Sequence, residues 1–367
     1  MVLMNTIHSQ TLEKANEAAI YNLYLYLAQK TTPADQESFR SIVAGLETAS
    51  ENWQTPDWND RDIRRLRLLR NAIASNLSLA DSRIGNLTRS KSGLTACSFT
   101  APNGDVSVIF KGTGSGEWID NGEGLSGIPE ENTYMTYGNN GEVISFKSVP
   151  FDYASDQQVQ ALNWFRRIAA QNGWNSHTRI TLSGHSKGGN KAQFVAVHSD
   201  LADACYSFDG QGFSPEALAA FEAQYGSAFE ARRQNILSIS TDNDYVNVLG
   251  KRLMPQDHVY YLESSMGYHY PESMLDHNGR FRPQCEQGKL SRYVEMVSAE
   301  LMDMNPFVRQ YAALGIMNIF QKYLGSGTPV NGDKVSIEKT IAGIGVAIVP
   351  FLHHLHEMDF RYKRSIL

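Results

Sequence analysis

Apolar residues recur along this chain with two periods, and the change from one to the other marks out its parts. Over 11–29, Ala15, Ala18, Ala19, Leu23 and Leu27 lie on one side of a helix, with Tyr21, Tyr24 and Tyr26 adding aromatic bulk around that stripe. Thr32-Pro33 has the form of an N-cap followed by proline at the first helical position, which predicts a second helix from there to 46. A loop holding Trp53, Pro56, Asp57 and Trp58 precedes a third helix, 60–77. The apolar stripes of these helices are too narrow to form a large core alone, so they are expected to pack on the downstream part of the chain. Near Gly93 the alternation becomes that of strands: 94–100 and 105–110, with Asn103-Gly104 between them as a hairpin turn.

Strands and helices then take turns. Ser155 caps a helix that carries Val159, Leu162, Phe165 and Ile168 at helical spacing and ends at Asn172-Gly173. It leads into the β-branched run Ile180, Thr181, Leu182, and a strand, a crossover helix and a second strand make a right-handed parallel unit. Further strands are predicted at 204–208, 235–240 and 258–263, with a helix at 214–225. Between these regions, 122–153 is polar and Gly/Asn-rich, with a hairpin around 139–141; it reads equally as a lid over a site and as a surface excursion. After 281 the pattern is helical again, at 290–304, from the Asn305-Pro306 cap to about 324, and at 336–356. The fold class is therefore α/β with a mostly parallel central sheet, in three parts: a helical segment 1–90, an α/β core 91–285 and a helical segment 286–367.

Composition narrows the function. A chain of 367 residues with 42% hydrophobic residues suits one sizeable core, and a net charge of −6 excludes the basic footprint of a nucleic-acid binder. Five arginines at 61–70 alternate with Ile63, Leu66, Leu68 and Leu69 and read as a solvated helix face. Cys97, Cys205 and Cys285 have neither disulfide nor zinc spacing. The uncharged run 340–352 is too short to span a bilayer and is interrupted by Pro350; core packing is its expected role, a lipid-docking surface the alternative. His353, His354 and His356 lack acidic partners at matching spacing, so no metal site is expected there. The first ten residues show no basic segment followed by an apolar one, so the expected location is cytoplasmic, with export open only to a dedicated secretion machine.

The stretch R-I-T-L-S-G-H-S-K-G-G-N-K-A, 179–192, carries the chemistry. Gly184, Ser186 and Gly188 fill G-x-S-x-G between a strand and a helix, the setting in which small neighbours let a strained turn hold a serine hydroxyl over a sheet edge. Upstream, the strand ending at Phe110 leaves through a glycine-rich loop where Gly112 and Thr113 are candidates to supply a backbone N–H to a developing oxyanion. Downstream, three strand exits carry Asp209, Asp242 with Asp244, and His269, and such exits line the ligand crevice of an open α/β sheet. The order Ser, Asp, His is that of α/β-hydrolases. Among the other histidines, His185 is expected to pack beneath the turn, His258 begins a strand and His277 lies in a polar turn.

In combination, V-I-F-K-G-T (108–113), G-H-S-K-G-G-N (184–190), F-D-G-Q-G-F (208–213), N-D-Y-V (243–246) and the segment from H-Y-P-E-S-M-L to G-R-F (269–281) resemble the class 3 lipase family of α/β-hydrolases, most closely a bacterial branch bearing G-H-S-K-G-G-N. The resemblance covers about 93–281 and implies a lipase-like α/β-hydrolase fold. It also implies Ser186 as nucleophile, Asp244 as acid, His269 as base, and Thr113 and Lys187 as oxyanion donors. Two departures bear on the acid: no proline follows Val246, and Asp209, the alternative acid, stands where the family usually has glycine. The expected activity is hydrolysis of a small-molecule or lipid ester through an acyl-enzyme, with no metal or organic cofactor. Amide or thioester hydrolysis, or non-catalytic binding on the same scaffold, are the alternatives.

Overall fold

The computed structural model describes residues 9–51, 58–90, 93–114, 117–264, 269–323 and 337–354. The chain opens with helices α1 (Ser9–Leu27), α2 (Phe39–Glu51), α3 (Asp60–Ser75) and α4 (Leu77–Asp81). Strands β1 (Arg83–Arg89), β2 (Thr95–Thr100) and β3 (Val106–Phe110) lead to α5 (Trp118–Ser126) and the strand pair β4 (Glu130–Tyr137) and β5 (Val143–Asp152). Then come α6 (Asp156–Gln171), β6 (Ile180–His185), α7 (Lys187–Val197), β7 (Ala204–Phe208), α8 (Pro215–Tyr225), α9 (Ser227–Arg233), β8 (Ile236–Thr241), β9 (Val259–Leu262) and the short β10 (Gln284–Cys285). The chain closes with α10 (Lys289–Asp303), α11 (Pro306–Tyr323) and α12 (Ile337–His353).

Eight strands share one sheet in the order β1-β2-β3-β6-β7-β8-β9-β10. Its centre, from β3 to β9, is parallel, and antiparallel strands close both edges. Strand alternation sends Cys97, Phe99, Ile109, Tyr206 and Phe208 to one face and Ala96, Val108, Phe110, Leu182 and Cys205 to the other. The first face is covered by α1, α2 and α3, where Tyr21 stacks on Phe99 at 4.3 Å and Phe39 stands edge-on to Phe99 at 5.1 Å. Helices α6, α7 and α8 cover the second face with Leu162, Phe165, Phe194, Val195 and Phe221. This is a mixed α/β architecture with flanking helices, consistent with the expected α/β-hydrolase class.

Several local expectations change. The second helix begins at Phe39, not Pro33, because 32–38 is drawn along the sheet edge: the Gln36 N–H donates to the Ile84 carbonyl at 2.8 Å, and the Ile84 N–H to the Glu37 carbonyl at 3.0 Å. The Ser38 hydroxyl then accepts the Ser41 N–H at 3.2 Å, so the capping serine comes after the Thr-Pro pair. Strand β1 lies inside the stretch 1–90 read as helical. Its register shifts between Gly85 and Thr88, and Asn86 takes a φ of 55°, which breaks the alternation a sequence pattern needs. The stretch 122–153 divides: α5 packs against α11, whereas 130–152 is an antiparallel pair on α6.

The arginine stretch is not a uniformly solvated face. Arg65 is buried, its Nε 3.0 Å from the fully buried Glu272 carboxylate. Nor does 340–352 sink into the core: Ile341, Ile348, Val349 and Leu352 are exposed. No described helix is long and apolar enough to cross a membrane. The readings placed on Trp53, Pro56, Asp57 and His356 lie outside the described residues.

Candidate active site

Strand β6 runs between β3 and β7 and stops at Ser186, whose φ of 60° and ψ of −130° put it in a conformation that side chains other than glycine rarely adopt. The turn is held from below by the Ser186 N–H, which donates to the Phe208 carbonyl at 2.8 Å. It is also held by lack of space, since a Cβ at Gly184 would collide with the Gly188 backbone and one at Gly188 with the Phe110 carbonyl. Only glycines let β3, β6 and α7 approach this closely. The spacing that singled out Ser186 in the sequence is thus a packing requirement of three elements.

Ser186, His269 and Asp244 come together. His269 Nε2 lies 2.9 Å from Ser186 Oγ, and its Nδ1 lies 2.6 Å from Asp244 Oδ2. Asp244 is fully buried, and its other oxygen accepts the N–H groups of Val246 at 2.8 Å and Asn247 at 2.7 Å. A hydroxyl in contact with an imidazole whose far nitrogen faces a carboxylate can pass its proton to the ring as it attacks. Asp242 faces elsewhere and accepts from the Asn243 side chain at 2.7 Å.

Asp209 meets a different histidine. Its Oδ2 stands 3.5 Å from His185 Nε2, while Oδ1 accepts the Thr241 N–H at 2.8 Å. Burial, and then the neighbouring Asp244, raise the Asp209 carboxyl well above the usual carboxylate range. Burial, and then His269, hold His185 well below the usual imidazole value, so it is neutral. His185 Nδ1 is 2.8 Å from the Tyr26 hydroxyl, and its ring centre is 4.9 Å from that of His269. His258 and His277 lie away from the site, and His277 is exposed.

The two donor candidates of the loop after β3 separate. Gly112 lies against the Tyr26 hydroxyl, whereas Thr113 faces the same cavity as Ser186 and its hydroxyl accepts from Asn121 at 2.9 Å. Lys187 is the first residue of α7, where backbone N–H groups have no partner inside the helix. Its side chain turns away and buries its ammonium 2.7 Å from Asp120 and 3.1 Å from the Ser155 hydroxyl.

Ser186 and His269 open on a cavity of about 530 Å³ whose walls are overwhelmingly apolar. Trp118 and Leu125 of α5, Val294 and Val297 of α10, and Ile316 and Met317 of α11 form much of it. A second hollow of about 560 Å³, lined by Thr32, Asp35, Asn86 and Arg89 among others, lies at the β1 edge and holds none of these groups. Of 122–153, α5 contributes to the cavity wall, while no residue of the β4–β5 pair does. Among the described residues, two sets of side chains bring possible metal ligands within 4.8 Å of one another. In His185, Asp209 and His269, an ion would compete with Ser186 and Asp244 for the His269 nitrogens. The other set is Glu300 with His353 and His354, so an acidic partner for that pair comes from α10, not from nearby in sequence.

Residues 135–239 match the model of the Mbeg1-like family. The match takes in the Ser186 turn and stops short of Asp244 and His269. Curated proteins give no match. A solved structure titled "Crystal structure of M37 lipase" aligns at 12% identity over 66% of this chain and 70% of that one, with a TM-score of 0.32.

The cavity is what the sequence concealed. Leu290, Val294, Val297 and Leu301 recur at helical spacing and announce a buried face on α10, but the pattern does not say that the face borders empty space. Tyr26 was equally hidden, because its hydroxyl reaches the site from a helix far upstream in sequence, 159 residues before His185.

Proposed function

We propose that this protein is a serine hydrolase that cleaves carboxylic esters with an extended apolar acyl group. The observation that carries the reading is the run Ser186 Oγ, His269, Asp244, with contacts of 2.9 and 2.6 Å, on the wall of an apolar cavity of about 530 Å³. A serine hydroxyl is a weak nucleophile until a base takes its proton during attack, and His269 Nε2 is in position to do so. Asp244 holds the ring with its proton on Nδ1 and stabilises the imidazolium that forms. The Thr113 and Lys187 N–H groups stabilise the tetrahedral oxyanion, a contribution that typically costs about 3 to 4 kcal/mol per donor lost. His269 then protonates the leaving alkoxide, and water, deprotonated by the same ring, releases the acid and restores Ser186. The steps call on no metal or organic cofactor.

The apolar walls favour an acyl chain over a polar group, because the polar side chains that line the cavity expose little surface to meet one. A fluorophosphonate probe is expected to label wild-type protein, and Ser186→Ala to abolish both labelling and turnover of p-nitrophenyl esters, a loss on the order of 10⁴- to 10⁶-fold. Labelling that persists in Ser186→Ala places the chemistry elsewhere. In a panel of equal leaving groups, kcat/KM is expected to rise from acetyl to octanoyl and beyond. Turnover restricted to amides or thioesters, or no turnover with any acyl length, overturns the ester reading.

A further inference from the structure

Behind His269 lies a second polar array that the Ser186 chemistry does not use. It starts at Asp209, on the exit of β7, passes through His185 at the end of β6, and ends at Tyr26 on α1. Asp209 Oδ2 and His185 Nε2 are buried and face each other at 3.5 Å, and neither has a hydrogen-bond partner among the described residues. The Asp209 backbone is itself strained, with a φ of 46° in a residue other than glycine. At the far end, the Tyr26 hydroxyl meets His185 Nδ1 at 2.8 Å and lies against the backbone of Gly112. Gly112 immediately precedes Thr113, and a Cβ at Gly112 would press on the Tyr26 hydroxyl, so the tyrosine is seated directly against the loop. Arg65 lies over the Tyr26 ring at 4.8 Å and is anchored by Glu272.

We propose that Tyr26, His185 and Asp209 form a positioning array for the oxyanion loop: the Tyr26 oxygen, oriented by His185 and Asp209, holds Gly112 so that the next amide, that of Thr113, faces Ser186. Asp209 Oδ1 already accepts the Thr241 N–H, which leaves Oδ2 to face His185 Nε2. His185 Nδ1 and the Tyr26 hydroxyl share one hydrogen bond, and a remaining lone pair of the Tyr26 oxygen is left for the Gly112 N–H. A neutral carboxylic acid at 209 agrees with its burial beside Asp244. None of the three side chains needs to touch substrate. Two come from the hydrolase sheet, and Tyr26 makes the N-terminal helix part of the site.

This inference rests on the serine-hydrolase reading, and its test separates the two. Tyr26→Phe keeps the ring and its contact with Arg65 but removes the acceptor for Gly112. It is expected to lower kcat about tenfold to a hundredfold, less than loss of a whole oxyanion donor, with KM changed by less than about twofold. A trifluoromethyl ketone, which forms an oxyanion adduct on the serine, is expected to lose affinity by the same factor. Asp209→Asn, which still offers His185 a polar partner, stays within about tenfold of wild type, whereas Asp209→Ala falls with Tyr26→Phe. A Tyr26→Phe enzyme with kcat within about twofold of wild type overturns the array, as does a kcat loss with unchanged ketone affinity. Wild-type protein that neither reacts with fluorophosphonate nor turns over any ester defeats the hydrolase reading itself, and the array's role with it.

Discussion

Two aspartate–histidine pairs stand side by side at the ends of neighbouring strands, and they are built for opposite conditions. Asp244 and His269 meet at 2.6 Å, with the ring side chain 18% exposed toward the cavity. Asp209 and His185 stand 3.5 Å apart, with side chains 0% and 3% exposed. Both acids are buried, so depth alone does not distinguish them. Donors do: Asp244 has two backbone N–H groups on one oxygen and an imidazole on the other, so its charge is met in full. Asp209 has one backbone N–H and the more distant Thr241 hydroxyl at 3.5 Å, both on Oδ1, and burial and then the field of Asp244 raise its carboxyl. Identical residue types thus divide into a pair that reaches Ser186 and a buried pair whose acid and histidine are both shifted toward their neutral forms.

The largest test of that division exchanges each acid for its amide. Asp244→Asn offers His269 a donor where it needs an acceptor, which disfavours the tautomer with a bare Nε2 toward Ser186. Its kcat is expected to fall about 10⁴-fold. Asp209→Asn imitates the neutral acid already present and is expected to cost less than about tenfold. Ester kinetics at saturating substrate read both. Equal losses in the two variants, or the larger loss at Asp209, would undo the comparison.

This distinction is also where the sequence stops being readable. The Ser186 turn is legible because its glycines answer to backbone collisions, and such collisions leave a pattern of residue types at fixed spacing. The alternating strands and the helices on either side of the turn are legible for the same reason. Which of Asp209, Asp242 and Asp244 meets His269 is not, since it depends on where three loops place their N–H groups, and no residue type encodes that. Strand β1 escaped because a bulge breaks its alternation, and the helix expected at Pro33 was displaced by pairing with that same strand. The apolar face of α10 could be read, but its bordering a cavity and not a core is a property of shape.

A smaller and slower signal is the dependence of stability on pH. The folded-state pKa of Asp209 is raised above its unfolded value of 3.8, so between the two the folded chain keeps a proton that the unfolded chain has lost. Stability then falls as pH rises through that window, with a limiting slope of about 1.4 kcal/mol per pH unit for one proton. His185 acts at the other end. Its pKa is depressed below 6.5, so the stability it contributes is present above that value and is lost as pH falls beneath it. Chemical denaturation of wild type and Asp209→Asn from pH 5 to 9 is expected to show the variant gaining on wild type as pH increases. A difference that stays flat would mean that Asp209 is ionised in the folded protein, and the two acids would no longer differ in kind.

The smallest expected effect is also the one needed to read that experiment. Glu123, on α5, is pushed up to about 8 by burial and then by the charges of Asp120, Glu130 and Asp156. Its slope has the same sign as that of Asp209: against an unfolded value of 4.5, the folded chain holds an extra proton between about pH 4.5 and 8, and stability declines across that window. Wild-type stability therefore contains both carboxyls, along with Glu17, Glu117 and Asp156, which are also raised, so its pH dependence is not that of the Asp209–His185 pair alone. Glu123→Gln should flatten part of the decline below pH 8 and leave ester turnover within about twofold of wild type, since Glu123 contacts neither Ser186 nor His269. In the Glu123→Gln background the further change from Asp209→Asn should persist nearly unaltered, because separate sites add. If it vanishes there, the pH signal belonged to α5, and the neutral pair would rest on geometry alone.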